Sequence, residues 1–160
     1  LPAHGDFVAR GLDPVERQVL DDWLSAEVAA AKETLAEGFA YRYDAAPPWC
    51  FVAEEVSGWR GGAVAPSVDA AGRRFPILLS GSGATRATAA GVAEGCEELI
   101  YQAFAERWDA DRAYAALCVL QSAAREERAG WWTLGNAEFA PAELDGIRPA
   151  GLRAAMLTPA

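Results

Sequence analysis

The sequence predicts an α/β (α+β) fold: a central antiparallel sheet of four or five strands, with one long N-terminal helix and two later helices packed on it. Three observations predict it. Residues 49–80 hold short apolar runs separated by glycine and proline, which is how strands joined by tight turns read. Residues 13–37 carry one apolar stripe at three- and four-residue spacing, and residues 86–108 form an alanine-rich helical stretch. At 160 residues a single domain over 1–160 is expected.

Residues 1–12 are extended or irregular, with Pro2, Gly5 and Gly11 as breaks. Asp13-Pro14-x-Glu16 starts the first helix. Asp caps free N–H groups, Pro suits the first helical position, and Glu follows in the first turn. Val15, Val19, Leu20, Trp23, Leu24, Val28, Ala31 and Leu35 make its stripe, and Gly38 stops it. A short helix is expected over 39–45, ended by Pro47-Pro48. Strands are expected at 49–53, 62–67 and 73–80. They are close enough in sequence for an antiparallel meander rather than parallel crossovers.

The second and third of these strands join at Asp69-Ala70-Ala71-Gly72. Asp accepts hydrogen bonds from the backbone ahead of it, and Gly tolerates the positive φ that ends such a turn. Pro66 and Pro76 cannot donate to a ladder, so each should face an edge or sit at a bulge. Gly81-Ser82-Gly83 reads as a loop; no lysine follows in P-loop register, so a phosphate cradle is not indicated.

A helix follows over about 86–108. Gly91 and Gly95 weaken it unless they admit close packing against the sheet. A second helix is expected over about 112–128, capped by Asp109 or Asp111. Trp131-Trp132-Thr133-Leu134 reads as a strand, at the edge or as a fourth member. The proline-bearing tail has room for a short helix from Pro149 to Met156.

Composition bounds function. Hydrophobic residues are 52% and charged residues 23% of the chain, a globular mix. The net charge of −9 argues against nucleic acid or an anionic membrane surface, since no basic field draws phosphate in. No apolar run approaches the ~20 residues that span a bilayer. Asp6 and Arg10 interrupt any apolar core of a signal peptide at the start. Cys50, Cys96 and Cys118 have no metal-ligand spacing and read as free, mostly buried thiols. No cofactor or metal is expected.

The lone histidine, His4, lies in a glycine-containing segment, and nothing in its spacing sets it against Ser67 or a cysteine. Asp6 and Asp69 are carboxylates to watch, each a candidate partner for Arg73. Asp69 is read first as hydrogen-bonded to its own turn, Asp6 as capping or salt-bridging the N-terminal segment to the hairpin, and one of Arg73 and Arg74 as an internal partner for Asp6 or Asp69 with the other exposed. Trp59, between Ser57-Gly58 and Arg60-Gly61, is read as a loop residue that lids the core or, failing that, anchors an interface.

Pro66-Ser67-Val68-Asp69-x-x-Gly72-Arg73-x-Phe75-Pro76 resembles the signature of the TagF (ImpM) family of type VI secretion accessory proteins. Leu1-Pro2-Ala3-His4-Gly5-Asp6-Phe7, Pro48-Trp49-x-Phe51 and Trp131-Trp132-Thr133 are similar to further family elements, in the same order. The resemblance implies a longin/profilin-like arrangement, a central antiparallel sheet between helical layers. It also implies a cytoplasmic, non-enzymatic, post-translational repressor that binds the forkhead-associated (FHA) scaffold protein of the secretion system. In some bacteria such a domain is fused to the secretion-linked phosphatase. On this view Asp6, Phe7, Trp59, Ser67, Asp69, Arg73 and Arg74 form a partner-binding surface. The opposed expectation is a small-ligand binder or hydrolytic enzyme using Asp6, Ser67, Asp69 and Arg73. A third is a structural piece of the secretion baseplate.

Overall fold

A computed structural model describes residues 1, 3, 8–56, 58–149 and 151–158. His4, Asp6 and Phe7 of the sequence reading lie outside the described residues.

The first helix, α1 (Pro14–Leu35), starts where capping chemistry places it. Asp13 Oδ1 accepts from Val15 N at 2.8 Å and Glu16 N at 2.9 Å. It ends two residues before the expected stop, at Ala36, which takes φ 45° and leads into a 3₁₀ turn, Ala36–Gly38. The short helix α2 (Phe39–Ala45) follows as expected.

Five strands form one antiparallel sheet: β1 (Trp49–Glu55), β2 (Gly58–Ala65), β3 (Ile77–Gly83), β4 (Gly130–Thr133) and β5 (Ala142–Leu144), in the order β3-β2-β1-β4-β5. The first three make the expected meander. After two helices the chain returns to pair β4 on the far side of β1. β4 is therefore interior, and the three-residue β5, which carries no strand signal in the sequence, is the edge beside it. Pro66 and Pro76 flank the ends of β2 and β3, outside the ladder, which removes the cost of their missing donors.

Strand alternation divides the core between two faces. Cys50, Val52, Ala63, Ala65, Ile77, Leu79 and Trp132 point to one face and join the buried residues of α3 (Arg86–Ala105). Trp49, Phe51, Val64 and Trp131 point to the other, where Trp23 and Leu24 of α1 and Leu152 of α5 (Leu152–Leu157) meet them. Helix α4 (Ala110–Cys118) packs beside α3 and β3. The result is the expected three layers, helix on sheet on helix.

Two sequence expectations are corrected by close packing. Gly81-Ser82-Gly83 is not a loop but the end of β3, opposite Gly61, Arg60 and Trp59. Its small residues match a helix lying almost on the sheet backbone: a Cβ on Gly61 would sit 1.8 Å from the Ala89 carbonyl oxygen. Likewise α4 stops at Cys118 rather than near 128. The following segment runs back along α3, with Arg125 N donating to Ala87 O at 3.0 Å. A Cβ on Gly91 would lie 2.0 Å from Ala123 O, so this glycine makes room for that returning segment and not for the sheet. Cys50 and Cys96 are buried free thiols as expected, but Cys118 is exposed.

A candidate interaction surface at the hairpin turn

The connection between β2 and β3 is a second, smaller hairpin. Val68 bridges Arg74, Phe75 N donates to Ser67 O at 3.1 Å, and Asp69 N to Arg73 O at 3.0 Å. Gly72 N closes the turn on Asp69 O at 3.0 Å, with Gly72 at φ 79°. These are the first and last turn positions read from the sequence.

The Asp69 side chain stabilises this turn from inside. Its Oδ1 accepts from Ala71 N at 2.8 Å and Arg73 N at 2.9 Å, and its Oδ2 from Arg73 Nε at 2.7 Å. Hydrogen bonding from the Arg73 backbone, aided by its side chain, holds the carboxyl below the usual carboxylate range. A raised value, the mark of a general acid, is the opposite of what this geometry produces.

Arg74 is not the exposed arginine expected. Its Nε and Nη2 donate to Asp44 Oδ1 and Oδ2 at 2.8 and 2.6 Å, a bidentate fork that ties the turn to α2. Ser67 is 5% exposed, so its side chain is not presented to solvent as a member of the expected partner-binding surface. Its backbone N donates to the Tyr43 hydroxyl at 3.5 Å, and burial raises the pKa of that hydroxyl. What the turn shows to solvent is Ala70, Ala71, Gly72 and Arg73.

Trp59 lies on a strand, not in a loop. It is near the start of β2, opposite Glu54 and Gly83, so the length of β2 separates it from the turn. The Arg86 guanidinium lies 4.7 Å from its ring centroid, a cation–π contact. Thus the structure brings Asp69, Arg73 and Arg74 together and buries Ser67 beneath them. Trp59 stands apart.

Sequence reasoning missed two features. One is the Asp44–Arg74 fork, whose partners are 30 residues apart and carry no local pattern. The other is a groove of about 430 Å³ that Asp69 and Arg73 line, bounded by β3, α1, α4 and the N-terminal residues Leu1 and 8–12. Ser67 does not line it. Among the described residues no group of histidine, cysteine and carboxylate side chains could hold a metal ion, and no helix is long and apolar enough to cross a membrane.

Comparison with known proteins completes the picture. No curated protein matches the sequence. Among solved structures, PA0076 from Pseudomonas aeruginosa PAO1 is similar in fold, with a TM-score of 0.75 at 22% identity, covering 96% of this chain and 89% of that one. The family model for the TagF N-terminal domain, type VI secretion system-associated, matches residues 1–120. With three quarters of its length so matched, the chain belongs to the type VI secretion system-associated TagF family.

Proposed function

We propose that the protein is a cytoplasmic post-translational repressor of type VI secretion that binds the FHA-domain scaffold protein of the system and keeps the apparatus from assembling. Its mechanism is mass action between protein surfaces, without bond chemistry. The observation that carries this reading is the family match over residues 1–120. We further propose that 1–160 is one domain, because β4, β5 and α5 lie beyond the matched stretch yet complete the sheet and its cover.

The hairpin turn, with Asp6, Phe7, Asp69, Arg73 and Arg74, is the proposed contact surface. It is held rigid by internal hydrogen bonds, so little conformational entropy is lost on docking. Trp59 would contribute only to an interface long enough to reach along β2.

Titration calorimetry against the FHA scaffold tests the reading, with Asp69→Ala and Ala71→Arg as variants. Ala71 is exposed and contributes only its backbone N–H to Asp69, so Ala71→Arg blocks the tip without removing the turn. Binding weakened about tenfold or more, roughly 1.4 kcal/mol, in folded variants is the expected result. Undiminished binding would move the surface elsewhere, and no binding would overturn the repressor reading.

A further inference from the structure

A smaller cavity, of about 50 Å³, lies on the α1 face of the sheet and opens to solvent. Trp23, Leu24 and Val28 of α1, Val64 of β2, and Leu152 and Met156 of α5 line it. Its interior is therefore an apolar slot between two helices and the sheet beneath them.

Two charged residues of opposite sign share this lining, Glu27 from α1 and Arg153 from α5. Among the described residues neither makes an ion pair or a hydrogen bond, and they do not pair with each other. Glu27 Oε2 is buried without any donor. A carboxylate oxygen in that position is costly, and folded proteins rarely leave one so. The Tyr43 hydroxyl, which also lines the slot, is already engaged by Ser67 N at 3.5 Å.

Volume decides the apolar part of an occupant. An apolar cavity of roughly 150 Å³ is needed to take a benzene ring. A slot about a third as large admits a few methyl or methylene groups and excludes an aromatic side chain. Charge decides the rest. The orphan carboxylate calls for an ammonium, and the unpaired guanidinium calls for a carboxylate, which it grips with two parallel hydrogen bonds. An ammonium, a carboxylate and a short aliphatic chain on one carbon make a small aliphatic α-amino acid. An apolar side chain of a protein partner would fill the slot but leave both charges unmet.

We propose that the slot between α1 and α5 binds a free aliphatic α-amino acid of the size of valine or leucine. The side chain enters the slot, the ammonium meets Glu27 and the carboxylate meets Arg153. A mostly apolar cleft with a few polar groups that fix orientation is the usual form of a small-molecule site. The site uses none of the residues of the proposed contact surface at the turn. It therefore stands or falls separately from the repressor reading.

The test is titration calorimetry and thermal melting of the full chain with L-leucine and L-valine at up to about 10 mM. Both should bind and raise the melting temperature. Leucinamide, which lacks the carboxylate, 4-methylpentanoate, which lacks the ammonium, and L-phenylalanine, whose ring exceeds the slot, should each bind at least tenfold more weakly. Glu27→Gln should weaken leucine about tenfold and leave 4-methylpentanoate unchanged. Arg153→Gln should weaken leucine about tenfold and leave leucinamide unchanged. Val28→Leu fills the slot and should abolish binding while the native circular dichroism spectrum is kept. No binding of leucine or valine would overturn the proposal. So would leucinamide or 4-methylpentanoate binding as tightly as leucine, or leucine binding that survives Val28→Leu. The ligand series on the parent chain decides the matter even where a variant fails to fold.

Discussion

The two helical layers meet the sheet by opposite means. α3 buries eight of its residues, five of them alanine or glycine, and its backbone rests close to Gly61 and Gly83. α1 is two residues longer and buries only Ala31. It stands off on large side chains: Trp23 meets Trp131 at 5.9 Å between ring centroids, and Trp131 stacks on Phe51 at 4.6 Å. A cavity of about 50 Å³ remains between α1, the sheet and α5. The α3 face is thus governed by backbone approach and tolerates no added atom, whereas the α1 face is governed by side-chain reach and leaves slack.

The largest effect that would break this contrast is at Gly61. Gly61→Ala drives a methyl into the Ala89 carbonyl and should destabilise the fold by about 3 kcal/mol or more, read as a lowered denaturation midpoint. If the variant melts like the parent, α3 does not rest on the strand. Ile100→Ala empties a fully buried site on the same face and should cost about 2–5 kcal/mol by urea titration.

The turn gives an intermediate, pH-dependent effect. Asp69 has a lowered folded pKa, so its stabilisation is present above the unfolded carboxylate value of about 3.9 and is lost as pH falls through the lower folded value. Melting temperatures taken from pH 7 down to pH 3 should show a smaller acid loss in Asp69→Asn than in the parent, from a lower starting point. Equal acid slopes would detach Asp69 from the stability of the turn.

On the α1 face the sign should reverse. Val28 lines the 50 Å³ cavity, and Val28→Leu should raise stability by about 0.5–1 kcal/mol by filling it. Destabilisation instead would mean that the α1 face is as closely packed as the other. Smallest of all, Val15→Ser, at a position 73% exposed, should change stability by less than about 0.5 kcal/mol although it belongs to the apolar stripe of the sequence.

That last residue shows where legibility ended. The stripe on α1 correctly marked a helix and its inner side, but periodicity carries no depth, and Val15 and Val19 remain exposed. The turn was legible residue by residue, because Asp69 and Gly72 act through bonds to neighbours within four positions. Arg74 was not, since its partner Asp44 comes from a different element. Gly81-Ser82-Gly83 misled because glycine usually marks a loop, and here it marks contact with α3.

By itself the sequence determined most of the element types, the antiparallel meander, the chemistry of the turn and, through its ordered motifs, the family. These depend on local capping, alternation and turn geometry, which act between residues near in the chain. Only the tertiary structure decided the placement of β4 inside the sheet, the separation of Trp59 from the turn, the burial of Ser67 and the Asp44–Arg74 fork. Each of these follows from which distant surfaces meet, and packing between surfaces is set by fit across the whole core.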